Sequence, residues 1–157
     1  MDLRRLRHGE WIAGASGVLL LVAMFLDWYS AGGVGADAWN SLTVIDWFLA
    51  IAALWGIALF VAAATQETPA VPQTVAQLAA PFAFVAAILV VVRLLDLPGA
   101  VDSREIGLWL GALGVFGVLV GSWRSIGDQS FPRAVAKQVE VTPLPAPKPR
   151  SEPATDE

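Results

Sequence analysis

The chain has 157 residues, of which 56% are apolar and only 15% charged, and its mean hydropathy is +0.61. A soluble domain of this length could not bury so much apolar surface, because its ratio of surface to volume is too high; a bilayer removes that limit. The lack of cysteine excludes disulfides, thiolate metal sites, thiol redox chemistry and lipidation on cysteine, while the formal charge of −4 carries little, since charge placement outweighs its sum in a membrane protein.

The hydrocarbon core of a bilayer is about 30 Å thick, so a spanning helix needs roughly 20 mostly apolar residues. Four stretches qualify. After a short segment 1–10, the first predicted span covers about 11–28, between Glu10 and Asp27. Arg4-Arg5 ahead of it has the look of an export signal, but three further spans favour a retained helix. The loop that follows, 29–45, is rich in glycine (Gly32, Gly33, Gly35) and then reads Ala38-Trp39-Asn40-Ser41-Leu42, with Trp39 expected to lie back on the membrane surface.

The second span covers about 46–65, with Asp46 as its one charged residue. A tight connection over 66–73 holds Pro69 and Pro72. The third span covers about 74–95, with Arg93 near its end and Pro81 in its first two turns, where early amides lack helical partners anyway. Pro98 and Gly99 end it, and the fourth span covers about 106–123, between Glu105 and Arg124. Residues 126–157 read as a tail. From about 142 it is rich in proline, at 143, 145, 147, 149 and 153, and is predicted to be disordered or polyproline-like. The expected fold is therefore all-α: a polytopic four-transmembrane-helix bundle over 11–125.

Trp11, Trp28, Tyr29, Trp47, Trp109 and Trp123 fall near span ends, where an indole keeps its ring dry and its N–H wet. Trp55 falls mid-span and is expected to pack on a neighbour or on lipid tails. Arg4, Arg5 and Arg7 precede the first span, and Arg124, Arg133, Lys137, Lys148 and Arg150 follow the fourth, so eight of the ten basic residues share one side. The positive-inside bias makes that side cytoplasmic, with both termini in. The other side is acidic, holding Asp27, Asp37, Asp46, Asp96, Asp102 and Glu105 against Arg93 and Arg104.

Two features stand out. On the fourth span, Gly107, Gly111, Gly114, Gly117 and Gly121 share one face at 100° per residue, with GxxxG spacing in two pairs. Small residues let backbones approach closely, so this face predicts helix packing within the chain or a dimer seam, with Ala52, Gly56 and Ala63 of the second span as a matching groove. The second feature is a candidate outer ion-pair cluster of Asp27, Asp46, Arg93 and Asp96. Ionisable groups at that depth are costly unless paired or snorkelling, and Arg93 is expected to clasp Asp27 or Asp46.

No ionisable residue falls near the midpoint of a span, where proton-coupled carriers need one. Ser16 has no histidine for protease chemistry, and His8, the single histidine, stands among arginines without a ligand cluster. The glycines of 32–35 follow no strand in this reading and precede no lysine, so they form no phosphate loop. The sequence thus predicts no catalytic residue, no metal site, no cofactor and no nucleic-acid partner.

The runs Phe25-Leu26-Asp27-Trp28-Tyr29, Ala38-Trp39 and Ile45-Asp46 precede Arg93-Leu94-Leu95-Asp96-Leu97-Pro98-Gly99 and Gly107-Leu108-Trp109-Leu110-Gly111. Together these resemble small uncharacterised four-helix membrane proteins of actinobacteria, over roughly residues 9–128. The resemblance implies an inner-membrane setting and no particular activity. The expected role is non-enzymatic: structural, assembly or regulatory, through helix contacts with another copy or another membrane protein. The alternatives are a small-solute transporter or channel subunit using the Arg93 cluster, and a sensor whose first outer loop binds a lipid or envelope ligand.

Overall fold

A computed structural model describes residues 6–42, 44–66, 70–96 and 102–130, with 128–130 described by helical backbone only. The elements run α1 (His8–Ala23), β1 (Asp27–Ala31), β2 (Val34–Asp37), α2 (Ala38–Ser41), α3 (Ile45–Thr65), α4 (Ala70–Leu95), β3 (Ser103–Arg104) and α5 (Ile106–Ser130). Three helices are long and apolar enough to cross a membrane: Ile45–Thr65, Ala70–Leu95 and Ile106–Gly127. The chain is mostly helical, as a multi-pass membrane protein must be where its backbone meets lipid.

The first helix is a correction. The predicted span reached residue 28, but α1 stops at Ala23 after 16 residues, about 24 Å at 1.5 Å each, short of the hydrocarbon thickness. The indole Nε1 of Trp28 donates to the Ala23 carbonyl at 2.8 Å, satisfying one of the acceptors that the last turn leaves open. The apolar run continues past this point, which is why composition alone overran the helix.

A three-stranded antiparallel sheet, ordered β2-β1-β3, adds to the expected all-helical architecture. Gly32 and Gly33 take φ of +59° and +83°, the left-handed values that a two-residue hairpin turn requires and that glycine adopts without strain. Asp27 pairs with Asp37 and Tyr29 with Ala36, so Trp28 is the extra residue of a bulge. The bulge breaks the in–out alternation and buries Trp28 and Tyr29 together. β3 joins β1 through Tyr29 opposite Arg104 and Ser30 opposite Ser103, tying the segment before α3 to the segment before α5.

The four long elements form a ring in which α1 and α4 occupy opposite corners. The largest interface of α1 is with α5 and the next with α3, while α4 packs on α5 and α3. Between helices the buried residues are mostly small, among them Ala13, Ala52, Ala53, Ala76, Ala83 and Ala86, whereas Trp47, Leu54, Phe84, Leu113 and Trp123 are exposed. This inverts a soluble protein and suits lipid, where close backbone approach drives association and large apolar side chains face the solvent tails. Bulkier core residues (Leu20, Met24, Trp28, Tyr29, Leu49, Leu108) gather at the sheet end.

The proline expectations shift with the start of α4. The helix begins at Ala70, so Pro72 lies in its first turn, where its missing N–H is harmless, and Pro81 is the twelfth residue, inside the helix. Trp55 stacks on Phe82 with ring centroids 6.5 Å apart. The tail from 131, including its prolines, and the Pro69 and Pro98-Gly99 positions lie outside the described residues.

Candidate functional site

The chemistry-bearing residues collect at the sheet end, where α1, α4 and the hairpin converge. Strand β1 carries Tyr29, 1% exposed, whose hydroxyl donates to the Arg93 carbonyl at the end of α4 at 3.4 Å. Arg93 and Arg104 both act on this phenol electrostatically. Burial raises the Tyr29 pKa above its usual 10, and the two guanidinium groups pull it partly back. The Nε of Arg104 is buried and, among the described residues, finds no hydrogen-bond partner. A buried donor without an acceptor costs free energy.

Polar contacts hold the rest of the sheet end together. The Gly32 amide donates to Asp102 Oδ2 at 2.6 Å, the Asp102 amide to the Ser30 carbonyl at 2.9 Å, and the Glu105 amide to the Trp28 carbonyl at 2.9 Å. The hydroxyls of Ser30 and Ser103 share a hydrogen bond, and Ser103 donates to Glu105 Oε1. Asp37 caps α2 by accepting from the Asn40 amide.

The sequence-predicted cluster divides. Asp27 is exposed and its carboxylate fills the space over Gly35 in the hairpin. Asp46, 5% exposed, accepts from the Trp47 amide at 2.8 Å, in the first turn of α3, where the helix dipole favours a carboxylate. Arg93 is half-buried and Asp96 exposed, just past α4. Among the described residues no ion pair joins Arg93 to Asp27, Asp46 or Asp96; what stands beside Arg93 is Tyr29. Sequence reasoning took Tyr29 for an interfacial anchor and Arg104 for a loop charge. The signal that would have found them is the Gly-Gly pair inside 27–37, a hairpin mark that places Tyr29 on a strand.

The glycines of α5 face α1 and the bulge. A side chain on Gly107 or Gly111 would strike the Trp28 ring, one on Gly114 would meet Leu20, one on Gly117 would meet Ser16, and one on Gly121 would meet the backbone of Gly9 and Ala13. Their partner is therefore α1 rather than the second-span groove; Gly56 of α3 instead approaches Ala13 and Val118. Trp28 and Tyr29 are buried, unlike Trp11, Trp47, Trp109 and Trp123, which are exposed near helix ends. Trp39 sits between Phe25 at 6.0 Å and Trp47 at 6.4 Å.

Glu10, 4% exposed, accepts from the Arg7 amide at 2.9 Å and so caps α1. Among the described residues no group of three His, Asp or Glu side chains could hold a metal ion. No family model matches the chain, and neither a curated protein nor a solved structure matches it.

Proposed function

We propose that this chain is a non-enzymatic four-helix protein of a bacterial inner membrane, with both termini in the cytoplasm. It acts in assembly or regulation through lateral contacts with another membrane protein or another copy. The observation that carries this reading is the perimeter. Large apolar side chains are exposed along α3 (Trp47, Leu54, Val61) and α4 (Leu78, Phe84, Val85, Ile88, Val92), while the glycine face of α5 is spent within the chain. The remaining surface for a partner is this apolar belt, where dispersion packing is the available attraction. In this reading α1, 16 residues long and packed on α5 and α3, crosses together with its partners. The basic flanks put the sheet end outside. A photo-crosslinking residue at Leu54 or Phe84 in native membranes tests the reading. A discrete adduct of protein mass supports it; adducts to lipid alone at both positions defeat it.

One observation favours a second reading, a small-solute carrier or channel subunit that recognises an anion at the sheet end: the unsatisfied Arg104 Nε beside Arg93 and Tyr29. Liposome flux of a small anion that is lost on Arg93→Ala would favour it over the scaffold.

A further inference from the structure

A lateral groove runs between α4 and α5 on the membrane-facing side. Its wider part, about 620 Å³, is lined by Ala80, Pro81 and Phe84 of α4 and by Leu119, Val120, Trp123 and Arg124 of α5. A narrower continuation of about 230 Å³ shares Phe84 and Leu119 and reaches Val92. The hollow arises because Ala80 and the ring of Pro81 are small, while Phe84 and Trp123 stand at its rims. From Ala80 to Val92 the two hollows extend about 18 Å along α4 at 1.5 Å per residue, ending one residue before Arg93. Its walls are apolar except at one end, where Arg124 lines it. That end is the one where α1 begins and α5 ends.

We infer that this groove binds one acyl chain of an anionic phospholipid from the inner leaflet, with the lipid phosphate on Arg124. The apolar walls fit a hydrocarbon tail. The guanidinium at the mouth offers a planar pair of donors to a phosphate oxygen pair. Basic sites between membrane helices on the cytoplasmic side select anionic headgroups on the same physical grounds. The exposed Trp123, beside Arg124, sits where an indole prefers to be, at headgroup level. This inference rests on the proposed orientation, with the Arg124 end facing the cytoplasm, but not on the scaffold role, since a lipid-filled groove serves a carrier equally well.

The test is lipid retention by the full chain, extracted from vesicles of equal phosphatidylglycerol and phosphatidylcholine and analysed by native mass spectrometry. The wild type is expected to keep phosphatidylglycerol preferentially, one molecule per chain. Arg124→Gln should lower that retention about fivefold, the factor that about 1 kcal/mol per basic residue implies, and Arg124→Lys should restore much of it. Ala80→Phe, which fills the hollow, should abolish retention of both lipids; helicity and melting temperature are measured on each variant, and Ala80→Leu replaces it if the phenylalanine unfolds the bundle. Equal retention of the two lipids by the wild type would overturn the inference. So would wild-type retention by a folded Arg124→Gln chain, or a crosslink from Ala80 to a second copy that excludes lipid.

Discussion

The indole of Trp28 stands where a side chain on Gly111 would have to go. A Cβ built at Gly111 runs into the six-membered part of that ring, and one built at Gly107 runs into its pyrrole edge and the strand backbone. The bulge that turns Trp28 inward and the glycines that admit it are two halves of one arrangement, about 80 residues apart in the chain.

The coupling is measurable. Trp28→Ala should destabilise the bundle by about 3–5 kcal/mol, the range for removing a buried aromatic side chain. Gly111→Val should lower the melting temperature in detergent as well, and in the Trp28→Ala background its added cost should largely vanish, a non-additivity that residues in contact show. Gly127→Ala is the control: nothing lies within 4 Å of a Cβ there, and alanine favours the helix, so the melting temperature should hold or rise.

The hairpin turn depends on two left-handed residues. Gly32→Val forces a branched side chain into φ of +59° and should cost about 1–2 kcal/mol. Gly32→Asn should cost much less, because asparagine tolerates this region. Amide exchange at Tyr29 and Ser30 reports the difference directly: the valine variant should lose protection there while α3 and α4 keep theirs.

Tyr29 is the single tyrosine of the chain, so its titration can be read by ultraviolet absorbance without assignment. Burial raises its pKa above the usual 10, with Arg93 and Arg104 opposing. In the unfolded chain the phenol loses its proton near pH 10, while the folded chain holds it longer, so the folded state binds more protons in that interval. Stability should therefore be level below about pH 10 and fall as pH rises through the folded pKa. Arg93→Gln removes one opposing charge and should move the titration further up; a titration at or below that of free tyrosine would contradict the burial account.

Ser122 is fully buried on α5 and its hydroxyl has no hydrogen-bond partner among the described residues. An unsatisfied hydroxyl in a dry interior costs free energy, so Ser122→Ala should leave the melting temperature unchanged or raise it by an amount worth up to about 1 kcal/mol. A clear loss of stability would show that the hydroxyl finds an acceptor.

The long helices were legible because twenty apolar residues in a row leave few alternatives, and α3 begins at Ile45 and ends at Thr65, within a residue of the expectation. The end of α1 was not legible. The run from Met24 to Leu26 is as apolar as what precedes it, and the chain turns there with Trp28 packed on α5, a distant contact. The same holds for Tyr29, whose place is set by strand pairing with Arg104, 75 positions later. The glycine face on α5 was visible as a face, but nothing within the fourth span says which helix it meets. Expected charge pairing at Arg93 rested on depth in the membrane alone; the two aspartates meant for it are used locally, by the hairpin and by the start of α3.

Because the broadest interface of α1 is with α5, α1 waits for a partner made later in the chain. Until α5 is made, Gly9, Ala13, Ser16 and Leu20 of α1 lack the helix they pack on, and α1 has only α3 to lean on. A ribosome that stops before α5 would release an unfinished ring with a short, poorly anchored first rod. Quality control in the membrane would then have a plain mark to read: a gap where the closing stave belongs.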